Sequence, residues 1–180
     1  YDKFFVETWV DSALKSFTSR NFKVVSESGH VYGYGKSVWA MIDLDTRQPV
    51  DILAVRDGLI SEYIETEYPC PIEKSSRVKM SADAAPIRSI NTYYSDVDIN
   101  GHINSVKYIE HVLDLWDLSW YKQHCIKRFE IAYVAESHQG DKLHFYREQR
   151  ETETDFNVRI TKRNVEGKET EVCRCRVQFV

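Results

Sequence analysis

Three features of the sequence predict an α+β fold in which an antiparallel sheet wraps around one long helix. Residues 103–117 place Val106, Ile109, Val112, Leu113 and Trp116 three or four positions apart, which puts them on one helical face. Three or four strand-like segments then follow, at about 126–136, 141–151, 154–163 and 168–180. Gly140-Asp141 and Glu166-Gly167 supply the turn chemistry between them. One alternating segment, 87–94 (IRSINTYY), precedes the helix. A helix with one apolar stripe and a sheet with one apolar face each need a cover, and here each can cover the other.

The first half repeats part of this plan. Residues 3–9 (KFFVETW) are rich in aromatic and β-branched types and read as a strand. Residues 13–25, ending in FKVV, read as a second, and 31–42 (VYGYGKSVWAMI) as a third. Glu27-Ser28-Gly29-His30 makes one turn and Asp45 to Pro49 another. Residues 52–64 suggest a short helix, weakened by Gly58. The segment 66–86, with Pro69, Pro71, Ser75, Ser76 and Pro86, reads as a connection. These features predict three regions: 1–75 as one domain, 76–86 as a linker and 87–180 as a second domain.

Strand, long helix, then an antiparallel run of strands is the order of the hotdog fold. The expectation is therefore a tandem hotdog. The N-terminal copy has the strands but no leading strand and helix, and a sheet with one bare apolar face is not a stable unit. The chain opens on Tyr1, within a strand-like segment, so the biological chain is expected to be longer.

Composition narrows the class. Hydrophobic residues make up 42% and charged residues 29%, the balance of a globular protein. No apolar run approaches the roughly 20 residues of a spanning helix, and no signal-peptide layout is present near the start. The formal net charge is −4, which gives a nucleic-acid partner no support. Residues 1–75 hold 8 Lys/Arg against 12 Asp/Glu, whereas 76–180 hold 16 of each, so the second half is the better host for an acidic partner. Cys70, Cys125, Cys173 and Cys175 match neither a zinc site nor a redox CxxC pair and read as reduced thiols, with Cys173 and Cys175 on one face of a strand. No His spacing points to a metal site, and no cofactor is implied.

The densest cluster of reactive side chains is Asp98, Asn100 and His102, in DINGHIN between the strand ending near Tyr94 and the helix. In an extended segment all three would point to one side. Asp and Asn before a helix are also ordinary caps and turn formers. A helix N-terminus adds unpaired N–H groups, and those of Gly101 to Ile103 are candidate donors to an oxyanion. Gly101, with no side chain, would let a substrate approach the backbone. A base or nucleophile is also needed. Glu136, at the end of IKRFEIAYVAE, is the candidate, because the strand after the helix runs back toward the 98–102 loop. A solvated carboxylate at a strand end is the plainer reading of the same residue.

The segment 98–108 (DINGHINSVKY) resembles the D-x-N-x-H-x-N-x-V-K-Y segment of plant and bacterial acyl-acyl carrier protein (ACP) thioesterases. Upstream, Val6-Glu7-Thr8-Trp9, Arg20-Asn21-Phe22, Ser37-Val38-Trp39 with Asp43, and Thr46-Arg47-Gln48-Pro49 resemble strands and turns of that family's N-terminal hotdog. The likeness runs in order over most of the chain. It implies a tandem hotdog enzyme that hydrolyses fatty acyl-ACP thioesters in fatty acid biosynthesis, with Asp98, Asn100, His102 and Glu136 as catalytic positions. It implies acyl carrier protein as partner, an acyl pocket drawn mainly from the N-terminal hotdog, and a monomer or homodimer. The implied compartment is the cytoplasm for a bacterial-type protein, or the plastid if a transit peptide lies upstream. Lys107, Lys122, Lys127 and Arg128 are candidates for a basic docking patch, each also readable as an ordinary solvated charge.

One departure bears on mechanism. Residues 133–137 (YVAES) fall where the plant members have a tyrosine, two arginines and Glu-Cys. Glu136 keeps the acid, but Ser137 stands in the cysteine's place. A serine needs a base to act as nucleophile, so the expected mechanism has Glu136 activate a water or attack the carbonyl itself. His102 and Asn100 would orient the reacting groups and Asp98 would hold their geometry. Two other readings share some of these residues. A hotdog enoyl-thioester hydratase carries Asp-x-Asn-Pro-x-His, but here Gly101 replaces the proline and His102 follows one residue sooner. A non-catalytic acyl-thioester binding module would bind the same ligands without consuming them.

Overall fold

The computed structural model describes residues 2–81, 84–163 and 167–180. Tyr1, Ala82 and Asp83 of the predicted linker, and Glu166 of the predicted Glu166-Gly167 turn lie outside the described residues. The chain divides into two compact units, Tyr1–Lys74 and Ser75–Val180.

The first unit is an antiparallel three-stranded meander of β1 (Phe4–Leu14), β2 (Phe17–Ser26) and β3 (Val31–Ala40), in that order. β1 runs five residues past the predicted segment. Lys15, with φ of 39°, makes the turn into β2 where no turn signal is written in the sequence. Trp9, Val10 and Val25 are buried, whereas Phe4, Phe5, Val6, Phe17, Val38 and Trp39 are exposed. The predicted helix over 52–64 is instead a 3-10 segment, Val55–Tyr63. Three consecutive residues, Arg56, Asp57 and Gly58, take left-handed backbone there, which no α-helix tolerates.

The second unit is a hotdog. Its five-stranded antiparallel sheet is built from β4 (Arg88–Asn91), β5 (Ile126–Tyr133), β6 (Lys142–Gln149), β7 (Asp155–Arg163) and β8 (Glu169–Phe179). The order across the sheet is β4-β6-β7-β8-β5, so β4 and β5 occupy opposite edges. Helix α1 (Ser105–Leu113) and the single turn α2 (Leu118–Tyr121) lie between β4 and β5 in the chain. Asn104 caps α1 by accepting from Val106 N at 2.9 Å, and Asp117 caps α2 by accepting from Trp120 N at 2.9 Å. The helix is shorter than its apolar periodicity, because Asp114 closes it and the chain bends before Trp116.

The buried stripe of α1 keeps Val112 and Trp116 of the predicted one and adds Tyr108. Tyr108 and Val112, continued by Trp116, face the sheet, while Val106 is 53% exposed. These three pack on Leu143, Phe145, Phe156, Val158, Ile160, Val172 and Val177 of the sheet. Trp116 meets Phe156 and Phe179 edge-on, with ring centroids 5.2 and 5.1 Å away. Each fully buried Leu, Val or Phe in this core contributes about 1.5–3 kcal/mol relative to exposure.

Cys173 and Cys175, two residues apart on β8, both face this core and are fully buried. Burial pushes both thiols up, Cys175 to about 12, so little reactive thiolate forms at neutral pH. In the native protein, iodoacetamide should therefore label the exposed Cys125 and leave Cys173 and Cys175 untouched until denaturant is added. Mass mapping that found Cys173 or Cys175 alkylated at the rate of Cys125 would contradict this packing.

Candidate active site

The strand order explains how distant residues meet. β5 lies at one edge and β6 beside β4 near the other, so the β5–β6 connection must cross the end of the sheet. That crossing carries Glu136, Ser137 and His138 past the loop that follows β4. Ile103 N donates to Ser137 O at 2.8 Å, and the Thr92 hydroxyl donates to His138 O at 2.8 Å. Gly140 N donates to Thr92 O at 3.2 Å, closing the contact.

The loop itself is a tight turn, not the extended segment expected from the alternation of its polar residues. Val97 and Ile103 pair as an antiparallel bridge, and Asp98 N donates to His102 O at 2.8 Å. Gly101, at φ of 82°, permits the reversal. The Asp98 carboxylate faces inward across the turn. Its Oδ1 accepts from Asn100 N at 2.8 Å and from His102 N at 3.2 Å. A typical hydrogen bond contributes about 0.5–1.5 kcal/mol net, so these two make Asp98 the main local constraint on this turn.

The same bonds overturn one sequence expectation. Gly101 N donates to Asp98 O, His102 N to Asp98 Oδ1 and Ile103 N to Ser137 O. None of these three N–H groups is left to serve as an oxyanion donor. The helix begins two residues later than expected, so the N–H groups at 101–103 belong to the turn, not to the helix terminus.

Of the four sequence-predicted positions, His102 and Glu136 are brought into direct contact, with Nε2 and Oε2 3.3 Å apart. The two groups lie close enough to interact as an ion pair whenever the ring is protonated. Both side chains remain within reach of water, at 30% and 48% exposure. Asn100 sits exposed at the tip of the turn, tied by its backbone to Asp98. Asp98 touches backbone and so shapes the loop.

Two further residues flank this pair, of which His138 carried no signal in the sequence. The His138 ring stands 5.1 Å from the His102 ring and nearly perpendicular to it. Ser137, which the resemblance sets in the place of the plant cysteine, is fully buried. Among the described residues no cluster of three or more His, Cys, Asp or Glu side chains could hold a metal ion, and no helix is long and apolar enough to cross a membrane.

Comparison with known proteins gives a consistent result. Residues 79–179 match the acyl-ACP thioesterase C-terminal domain family, and residues 1–63 the acyl-ACP thioesterase N-terminal domain family. A chloroplastic palmitoyl-acyl carrier protein thioesterase from Gossypium hirsutum is 30% identical over 135 residues, which cover 73% of this chain and 33% of that protein. A chloroplastic oleoyl-acyl carrier protein thioesterase from Arabidopsis thaliana is 29% identical over 147 residues, covering 76% of this chain and 39% of that protein. The chain thus spans about a third of the length of the curated relatives it matches. An acyl-ACP thioesterase crystal structure from Bacteroides thetaiotaomicron superposes with a TM-score of 0.88 and 46% identity, covering all of this chain and 70% of that one. The 12:0-ACP thioesterase of Umbellularia californica superposes at 0.79 with 21% identity over 99% of this chain and 68% of that one, a likeness of fold.

Proposed function

Because the chain belongs to the acyl-ACP thioesterase family, we propose that it hydrolyses fatty acyl-ACP thioesters to free fatty acid and carrier thiol, in fatty acid biosynthesis. The observation that carries this reading is the contact of His102 Nε2 with Glu136 Oε2 at 3.3 Å, on a solvent-reachable face of the second unit. The active site belongs, on this reading, to the C-terminal hotdog, 87–180, joined by the linker 76–86 to the N-terminal domain, 1–75. The relatives' names, which specify palmitoyl- and oleoyl-ACP, support acyl-ACP as substrate and acyl carrier protein as partner.

The chemistry follows from the pair. The Glu136 carboxylate takes a proton from a water held between it and the thioester carbonyl, and the water oxygen bonds to the carbonyl carbon. The tetrahedral intermediate then expels the carrier thiolate, which takes up a proton as the acid departs. In the other route Glu136 attacks the carbonyl carbon directly, the thiolate leaves, and water hydrolyses the resulting anhydride. Both routes use His102 to orient Glu136, Asn100 at the loop tip to orient the carbonyl, and Asp98 to hold the loop. The burial of Ser137 supports both over a serine nucleophile, because a buried hydroxyl without a bonded base is poorly placed to attack. No cofactor is required. A monomer or homodimer is proposed, in the cytoplasm, or in a plastid if the full protein carries a transit peptide.

The test is release of free thiol from a panel of acyl-ACP thioesters by the full-length protein and its Asn100→Ala variant. Thiol release by the parent and a loss of about 10²-fold or more in the variant, with folding unchanged, is the expected result. A folded parent that binds acyl-ACP and releases no thiol at any chain length would instead be a binding module.

A further inference from the structure

Within the second unit, residues 76–81 are bonded as a strap across the sheet face that points away from α1. Ser76 N donates to Glu130 Oε2 on β5 at 2.8 Å. Asn157 Nδ2 on β7 donates to Lys79 O at 2.9 Å, and Ser81 N donates to Glu148 Oε1 on β6 at 2.9 Å. The sheet order there is β6-β7-β8-β5, so the strap spans four strands. Along it Ser76, Val78 and Met80 are half-buried, whereas Arg77 and Lys79 are exposed, the alternation of an extended segment lying on a surface.

A cavity of about 340 Å³ lies between the strap and β7–β8, a size within the range of small-ligand sites. Four cations line it: Arg77 and Lys79 from the strap, Arg159 from β7 and Arg174 from β8. Arg159 and Arg174 stand directly opposite one another in the strand register. Their neighbours Val158, Ile160, Cys173 and Cys175 are fully buried in the core, so both arginines project from the other face. Like charges directly opposite are destabilising, so the fold alone does not account for this pair. The cavity's one acid, Glu171, is bonded to Arg174. Among the described residues, Arg77, Lys79 and Arg159 make no ion pair. Arg159 Nε is buried without a hydrogen bond, and its guanidinium lies over the Tyr146 ring, 4.5 Å from the centroid. Glu169, which accepts from the Tyr146 hydroxyl at 2.6 Å, is also taken up by Thr161 and Arg163.

We propose that this cavity binds a small anion carrying two or more phosphoryl groups, held between the strap and the β7–β8 arginines. A guanidinium presents a rigid fork of donors that matches phosphate oxygens, and Arg159 offers one on the cavity floor. Arg77 and Lys79 close on the ligand from the strap. The cavity has room for more than one phosphoryl group, and three cations free of carboxylates call for more than one negative charge. A bound ligand would join Arg77 and Lys79 to Arg159 and so fasten the strap to the sheet. The proposal does not depend on the thioesterase reading.

The probe is inorganic pyrophosphate, titrated by calorimetry into the full-length protein and its Arg159→Gln and Arg77→Gln variants. Ionic strength is held constant with sodium chloride, because exposed charges are screened by salt. The parent should bind a single equivalent. Each variant should bind about tenfold more weakly or worse, the loss of one charge-assisted contact. Pyrophosphate should also raise the parent's melting temperature and slow tryptic cleavage after Lys79, beyond the effect of chloride. Arg77 is exposed on the strap, so its variant tests the site even where Arg159→Gln disturbs the sheet. No binding by the parent, or parental affinity in both variants, would overturn the proposal. So would equal protection by chloride, or inorganic phosphate binding as tightly as pyrophosphate. If pyrophosphate does not bind but acyl carrier protein does, and loses affinity in both variants, the face is a protein-docking surface and the small-ligand assignment fails.

Discussion

Replacing Glu136 with Gln is expected to lower kcat for acyl-ACP hydrolysis by about 10²–10⁴-fold, the range supplied by a positioned general base. Gln keeps the shape of the side chain and an oxygen that can face His102 Nε2, so the loop and the crossing segment should stay in place. What disappears is the negative charge and basicity. KM should change little, because the lost interaction acts in the transition state and not in substrate binding. The half-exposed position of Glu136 means that its neutralisation leaves no buried charge unpaired, so thermal stability should be near the parent's. Stopped-flow or thiol-trap assays with a circular dichroism melt measure both halves. Near-parental kcat in Glu136→Gln would move the chemistry to another group near His102, with His138 the first to test, since its ring is 5.1 Å away.

Much of the second unit was legible because its signals are local. The helix, the four strands after it and the Gly140 turn are written in periodicity and turn residues, and the strands fall within a few residues of expectation. The stripe of α1 was read in part: Val112 and Trp116 are buried as expected, whereas Val106 is exposed and Tyr108 is buried in its stead. Val106 fits the spacing with Ile109 and Leu113 as well as Tyr108 fits it with Val112. The choice between them depends on where the sheet sits, which is a tertiary fact. In the first unit, the left-handed run at Arg56, Asp57 and Gly58 carries a turn signal in Asp57-Gly58, whereas Arg56 gives no warning. The turn at Lys15 is similarly silent, since lysine carries no turn preference to read.

The candidate site was legible in composition but not in conformation. Alternating Asp98, Asn100 and His102 suggested three side chains on one side of an extended segment. The same residues also suit a turn in which the first carboxylate accepts from the backbone two and four residues on, and that is the geometry found. The approach of Glu136 to His102 followed from topology, because the strand after the helix has to cross back over the sheet end. The nearness of the His138 ring to that of His102 could not be found this way, because only packing reveals it.

Asp98→Ala should also be strongly damaging, through the loop and not through direct chemistry. The Asp98 carboxylate makes two hydrogen bonds to the backbone within its own turn, at 2.8 and 3.2 Å, and alanine removes both. The freed N–H groups of Asn100 and His102 are near enough to solvent to find water, so the protein should still fold, with a stability loss of about 1–2 kcal/mol. The turn, however, would no longer be held closed, and His102 would lose its fixed distance from Glu136. Misplacement by about 1 Å is enough for a loss of about 10²-fold in kcat. Asp98→Asn separates shape from charge. Its amide oxygen still accepts from both N–H groups, so it should keep most of the stability and recover most of the rate lost by alanine. An asparagine variant that is as stable as the parent but as slow as alanine would show that the charge of Asp98 takes part in the reaction itself. In that case Asp98 would have to contact substrate or the attacking water, a role beyond the two backbone bonds it makes in the free protein.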